Sequence, residues 1–80
     1  MTKYRVARDL EGGSFGMDRD YTADEWIEQA RSWCWADDND ECDNYLERMQ
    51  KNRSEWSDKD VLDFIADIWQ LEFEQVKENN

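Results

Sequence analysis

The chain has 80 residues, 21 of them acidic against 10 basic, for a formal net charge of −11, and it contains neither histidine nor proline. That length permits one domain with a limited core, and the lack of histidine removes the commonest general base at neutral pH. Nucleic acid and anionic membrane are disfavoured as direct partners, and neither is expected, because both repel so acidic a chain over a Debye length; a basic protein surface is its natural complement.

Five Trp, three Tyr and three Phe make the chain too aromatic for an acidic disordered tail, since burying those rings offsets ordering entropy. No apolar run approaches the roughly 18 residues of a membrane span, and "MTKYRVARDLEGG" lacks the apolar core of a signal peptide. A folded cytoplasmic domain is the expectation.

In chain order, "KYRVAR" alternates weakly as a strand, "EGGSFG" supplies Gly12, Gly13 and Gly16 for a turn, and "SFGMD" can return as a second strand, giving a β-hairpin over about 3–18. Such a hairpin needs a helix layer to be stable. Thr22 stands three residues before Glu25 in a capping-box pattern, so the first helix is expected over about 23–36. Its residues Trp26, Ile27, Ala30, Trp33 and Cys34 converge on one side, with Asp24, Glu28 and Arg31 on the other. Trp35 falls with the second group, roughly 200° from Trp33, so the two rings cannot both enter one core from a regular helix.

A second helix is expected over about 40–52, capped by Asp38, Asn39 or Asp40 and carrying Cys42, Tyr45, Leu46 and Met49 at i, i+3, i+4 and i+7. Ser57, with Asp60 three residues on, opens a third over about 58–77, whose broad stripe from Val61 to Val76 makes it the expected centre of the domain. Trp56 suits a packing role just ahead of the Ser57 cap. The fold class is therefore α+β, a short N-terminal hairpin followed by three helices around one core, with an all-α three-helix domain and an irregular N-terminus as the alternative.

The segment "SWCWADDNDECDN", residues 32–44, crowds acids beside tryptophans. It fails the EF-hand spacing: started at Asp37, the glycine position holds Cys42 and the bidentate position Arg48; started at Asp38, they hold Asp43 and Met49. Cys34 and Cys42 cannot close a tetrahedral zinc site without further ligands, and they remain either buried thiols or a disulfide across the helix junction. No metal or cofactor is expected. Lacking a nucleophile elbow and a phosphate-binding glycine loop, the chain reads as a non-enzyme.

What remains informative is how the acids are arranged. Asp60, Asp63, Asp67 and Glu74 line up along one side of the expected third helix, and Asp24 and Glu28 repeat the pattern on the first. Carboxylates spaced along rigid helices can imitate nucleic-acid phosphates before an arginine-rich groove, and a tryptophan can anchor such a contact. Trp35 is the candidate anchor. If it is exposed beside the acids, the segment is a binding face; if buried, it is a capped turn.

The stretch "RDYTADEW", residues 19–26, resembles the start of a helix in the small acidic immunity proteins that neutralise colicin nucleases. Those proteins hold the nuclease with paired tyrosines and a proline, which this chain lacks, so no binding residue carries over. The short, acidic, tryptophan-rich profile is similar to phage or plasmid counter-defence inhibitors of the antirestriction and anti-CRISPR type.

The expected function is inhibition of a basic nucleic-acid-binding protein by charge mimicry, through Trp35, Asp37, Asp38, Asp40, Glu41 and Asp43, with Asp60, Asp63 and Asp67 as a second row if the fold brings them together. The alternatives are a structural or adaptor domain whose acidity serves only solubility, and an immunity protein for a nuclease toxin. A monomer and a homodimer both fit.

Overall fold

Two capping boxes set helix starts where the sequence places them. In the computed structural model, which describes residues 1–12 and 19–77, Thr22 accepts a hydrogen bond from the Glu25 amide while the Glu25 carboxylate accepts one from Thr22 N–H, and helix α1 runs Ala23–Ala36. Ser57 and Asp60 exchange the same pair at the head of α3, Asp58–Trp69. Between them α2 spans Asp40–Lys51, capped by the Asn39 side chain on Cys42 N–H at 3.2 Å. A 3-10 turn, Arg53–Glu55, leads into α3.

The α+β class holds, but the sheet closes differently from the expected hairpin. Strand β1, Tyr4–Asp9, pairs antiparallel with β2, Leu71–Gln75, at the far end of the described chain, in register Tyr4↔Gln75, Arg5↔Glu74, Val6↔Phe73, Arg8↔Glu72 and Asp9↔Leu71, with a bulge at Ala7. The return strand expected at 14–18 lies outside the described residues. The residues leading into α1 touch the opposite edge of β1: Tyr4 and Tyr21 exchange both backbone hydrogen bonds, at 2.7 and 3.0 Å.

The third helix accordingly ends at Trp69 and does not reach residue 77. Gln70 adopts a left-handed conformation, φ 54° and ψ 59°, and its N–H bonds Ala66 as a helix terminus. Beyond it Leu71 and Phe73 alternate with Glu72 and Glu74, a strand pattern that puts Leu71 into the core and Phe73 edge-on to Trp26 at 5.1 Å. The Asp60, Asp63, Asp67 and Glu74 line is therefore broken, with Glu74 on the strand.

Helix α1 takes the central position expected of the third helix, packing against both α2 and α3. Trp26, Ile27, Ala30 and Cys34 are buried along it, joined by Val6, Leu46, Met49, Val61, Ile65 and Leu71 from both strands and the other two α-helices. Trp26 is fully enclosed and donates its indole N–H to the Tyr4 carbonyl at 2.9 Å, so the largest core side chain also holds the sheet in place. Cα positions extend 39 × 32 × 16 Å. A layer that thin leaves Tyr45 and Ile68 exposed at the margins of their apolar stripes, and Trp35 is exposed on the polar side of α1.

Candidate functional site

The corner between α1 and α2 is made by the backbone before any charge is counted. Asp37 caps α1, Asp38 turns the chain in the left-handed region at φ 53°, and Asn39 N–H bonds back to the Cys34 carbonyl at 2.8 Å while its side chain caps α2. Asp and Asn tolerate this turn because their short polar side chains bond locally. Asp40 and Glu41 fall in the first turn of α2, where the helix dipole favours negative charge. All four acids from Asp37 to Glu41 are exposed.

Trp35 stands beside them with 53% of its surface exposed. Its ring is positioned by one chain of contacts. The Arg31 guanidinium lies over it at 5.4 Å from the centroid, Arg31 Nε donates to Asp43 at 2.7 Å and Arg31 Nη1 to Gln50 at 2.7 Å, and Gln50 in turn donates to Glu28 at 2.6 Å. The hydrogen bond from Arg31, seconded by one from the Trp35 side chain, holds the Asp43 carboxyl below its usual range. Asp43 raises Arg31 in the same way.

That network sets Asp43 apart from the other acids. Its side chain and that of Arg31 are only 16% and 17% exposed, and its carboxylate is engaged within the protein, where it braces Trp35 through Arg31. The second row also stands apart. Asp60 is engaged at the Ser57 cap, Asp63 is paired with Lys59 at 2.7 Å, and Asp67 is exposed. By helical spacing these three occupy the solvent side of α3, between the Phe64–Ile68 stripe and the Lys59–Leu62 flank. They form a separate stripe, with no bond to the corner among the described residues.

Sequence spacing missed a neighbouring feature. Tyr45 and Ile68 lie on the apolar stripes of α2 and α3, yet they are 42% and 39% exposed and border a groove of about 320 Å³ with Asn39, Glu41, Cys42 and Phe64. Tyr45 stacks on Phe64, centroids 4.5 Å apart, and meets Trp56 edge-on at 6.0 Å. Periodicity marks such residues as apolar but says nothing of whether another element covers them.

Cys34 and Cys42 are free thiols, both buried. Burial first, then a hydrogen bond with Cys42, pushes the Cys34 thiol up to about 12, so it stays protonated and unreactive at neutral pH. Among the described residues no group of three or more metal-ligating side chains is present, and no helix is long and apolar enough to cross a membrane. Compared with protein-family models, curated proteins and solved structures, the chain matches none.

Proposed function

We propose that this protein is a non-enzymatic inhibitor that occupies a basic nucleic-acid-binding surface on another protein, acting in the cytoplasm. The observation that carries the reading is Trp35, exposed, braced by Arg31 and bonded through its carbonyl to Asp38 N–H, in the corner that holds the exposed Asp37, Asp38, Asp40 and Glu41, which make no ion pair among the described residues. A pre-positioned aromatic ring loses little entropy on binding, and interface energy concentrates in such anchors when complementary charge surrounds them. Asp60, Asp63 and Asp67 add to the field that steers a cationic partner without touching the same contact. Counter-defence inhibitors and nuclease immunity proteins would both work in this way.

The test is to capture the partner from the native host and measure association with it as salt rises, in competition with nucleic acid. The reading expects competition, an association rate that falls steeply with salt, and loss of binding in the variant D37N/D38N/D40N/E41Q. Unchanged affinity in that variant would sink it.

A second reading is supported by the exposed Tyr45 and Ile68: an adaptor domain that docks or self-associates through its apolar surface. Light scattering separates the two, because a concentration-dependent dimer abolished by W35A or Y45A but indifferent to the four acid changes would favour the adaptor.

A further inference from the structure

Among the described residues, the outer edge of β2 is an open hydrogen-bonding surface beside a cleft. Val76 N–H donates to Lys3 and the Gln70 carbonyl accepts from Leu10 N–H, both on the β1 side. Backbone direction alternates along a strand, so Glu72 and Glu74 also turn their backbone groups toward β1, while Phe73 and Gln75 turn theirs away. Within the described residues the sheet has two strands, and the segment leading into α1 bridges to the far edge of β1 through Tyr21. Among the described residues, Phe73 and Gln75 thus present N–H and C=O groups outward with no backbone partner.

Beside this edge is a cleft of about 610 Å³ between the sheet and α3, lined by Leu62, Ala66 and the Lys59–Asp63 pair on the helix, by Leu71, Glu72, Phe73 and Gln75 on β2, and by Tyr4 on β1. Tyr4, Leu71, Phe73 and Gln75 share the core face of the sheet and Glu72 lies on the other, so the cleft opens under the core face and reaches the edge of β2 at Glu72. A helix beside an open strand edge is the arrangement that accepts an added strand, with the backbone giving affinity and alternate side chains giving specificity.

We propose that the β2 edge is a strand-addition site for an extended segment of a partner protein in which basic residues flank an apolar one. The protein's own β1 shows the complementarity: Arg5 and Arg8 stand opposite Glu74 and Glu72, at 3.3 and 3.8 Å, and Val6 stands opposite Phe73. The Glu72 and Glu74 side chains remain about half-exposed, 50% and 53%, so they can receive a second pair of cations. The apolar residue would enter the cleft against Leu62 and Ala66. A second copy of the chain is a poor occupant. Antiparallel pairing of two β2 strands about Phe73 sets Glu72 of each copy against Glu74 of the other, and like charges directly opposite destabilise a sheet. This site stands apart from the α1–α2 corner and does not depend on it.

The probe is a short capped peptide of alternating arginine and valine, titrated into the full chain while amide resonances and hydrogen exchange are followed. Expected are shifts and slowed exchange at Phe73 and Gln75, with affinity reduced by at least about tenfold when the peptide's edge-facing amides are N-methylated, since that removes the donors of the new ladder. E72Q/E74Q should weaken binding about threefold to tenfold, as the loss of two cross-strand charge pairs predicts. D37N/D38N/D40N/E41Q should leave the β2 response in place. Three outcomes overturn the proposal: equal affinity for the N-methylated peptide, a response centred on residues 37–41, or slowed exchange at Phe73 that depends on protein concentration without peptide. The second leaves the corner reading standing, so the two proposals fail separately.

Discussion

Arg31 on the first helix donates through Nε to Asp43 on the second at 2.7 Å and reaches Glu47 at 4.0 Å, and the same guanidinium covers one side of Trp35, so one arginine joins two helices and orients the exposed ring. At 17% and 16% exposure the two side chains lie between a surface pair and a buried one. Breaking the pair by R31M should cost about 1 to 2 kcal/mol, because a half-buried carboxylate loses its main donor. Asp43 is held below its ordinary value in the folded chain. Its contribution is therefore present above the unfolded value, about 3.9, and is lost as pH falls through the lower folded one. Urea unfolding should show the full deficit of R31M at pH 7 and a shrinking one below about pH 4. A deficit independent of pH would mean that lost packing on Trp35, and not the charge pair, carries the effect.

Cys34 supplies the opposite dependence. Burial pushes its thiol from 9.0 up to about 12, so folding disfavours the thiolate. The stability this preserves is whole below the unfolded value and declines as pH rises from there through the folded one. Unfolding measured at pH 8 and again near pH 10.5 should show a steeper alkaline loss in the wild type than in C34A. That variant starts about 1 kcal/mol weaker because a small cavity replaces the sulfur. Alkylation under native conditions should be slow and should accelerate with urea in step with unfolding. Rapid modification of Cys34 in the folded chain would contradict the burial on which the shift depends.

What the sequence makes legible here is local chemistry. Thr22 with Glu25 and Ser57 with Asp60 announce their helices through neighbours three residues away, and both boxes form as expected. The spacing of Trp26, Ile27, Ala30 and Cys34 identifies the face of α1 that is buried, and it correctly separates Trp35 from them. Pairings between distant segments are hidden. Nothing near Asp43 signals that an arginine on another helix will engage it, and nothing in "KYRVAR" indicates that its partner lies beyond α3. The adjacent glycines instead favour a local hairpin. Leu71 and Phe73 add to the confusion by continuing the apolar stripe of Ile65, Ile68 and Trp69, so one helix and a strand read as a single long helix.

The residue responsible for that misreading is Gln70, and it offers the most direct route to a more stable chain. It sits at the end of α3 with φ 54° and ψ 59°, a left-handed conformation in which a β-carbon is strained and where helices commonly place glycine. A glycine there would have marked the helix end in the sequence; glutamine gives no such signal. In Q70G the backbone hydrogen bonds from Gln70 N–H to Ala66 and from Leu10 N–H to the Gln70 carbonyl can be kept, since neither uses the side chain. The losses are the exposed bond from the Gln70 side chain to the Asp67 carbonyl, at 2.6 Å, and some added freedom in the unfolded chain. Relief of the left-handed strain, about 1 to 2 kcal/mol, exceeds an exposed bond and the entropy term together, so the net expectation is a gain of up to about 1 kcal/mol. The denaturation midpoint should rise with an unchanged m-value. Q70A, which keeps the β-carbon and drops the amide, should instead be less stable than the wild type. If glycine and alanine destabilise equally, the side-chain bond to Asp67 is what holds the turn, and the end of α3 is set by Gln70's amide and not by its backbone conformation.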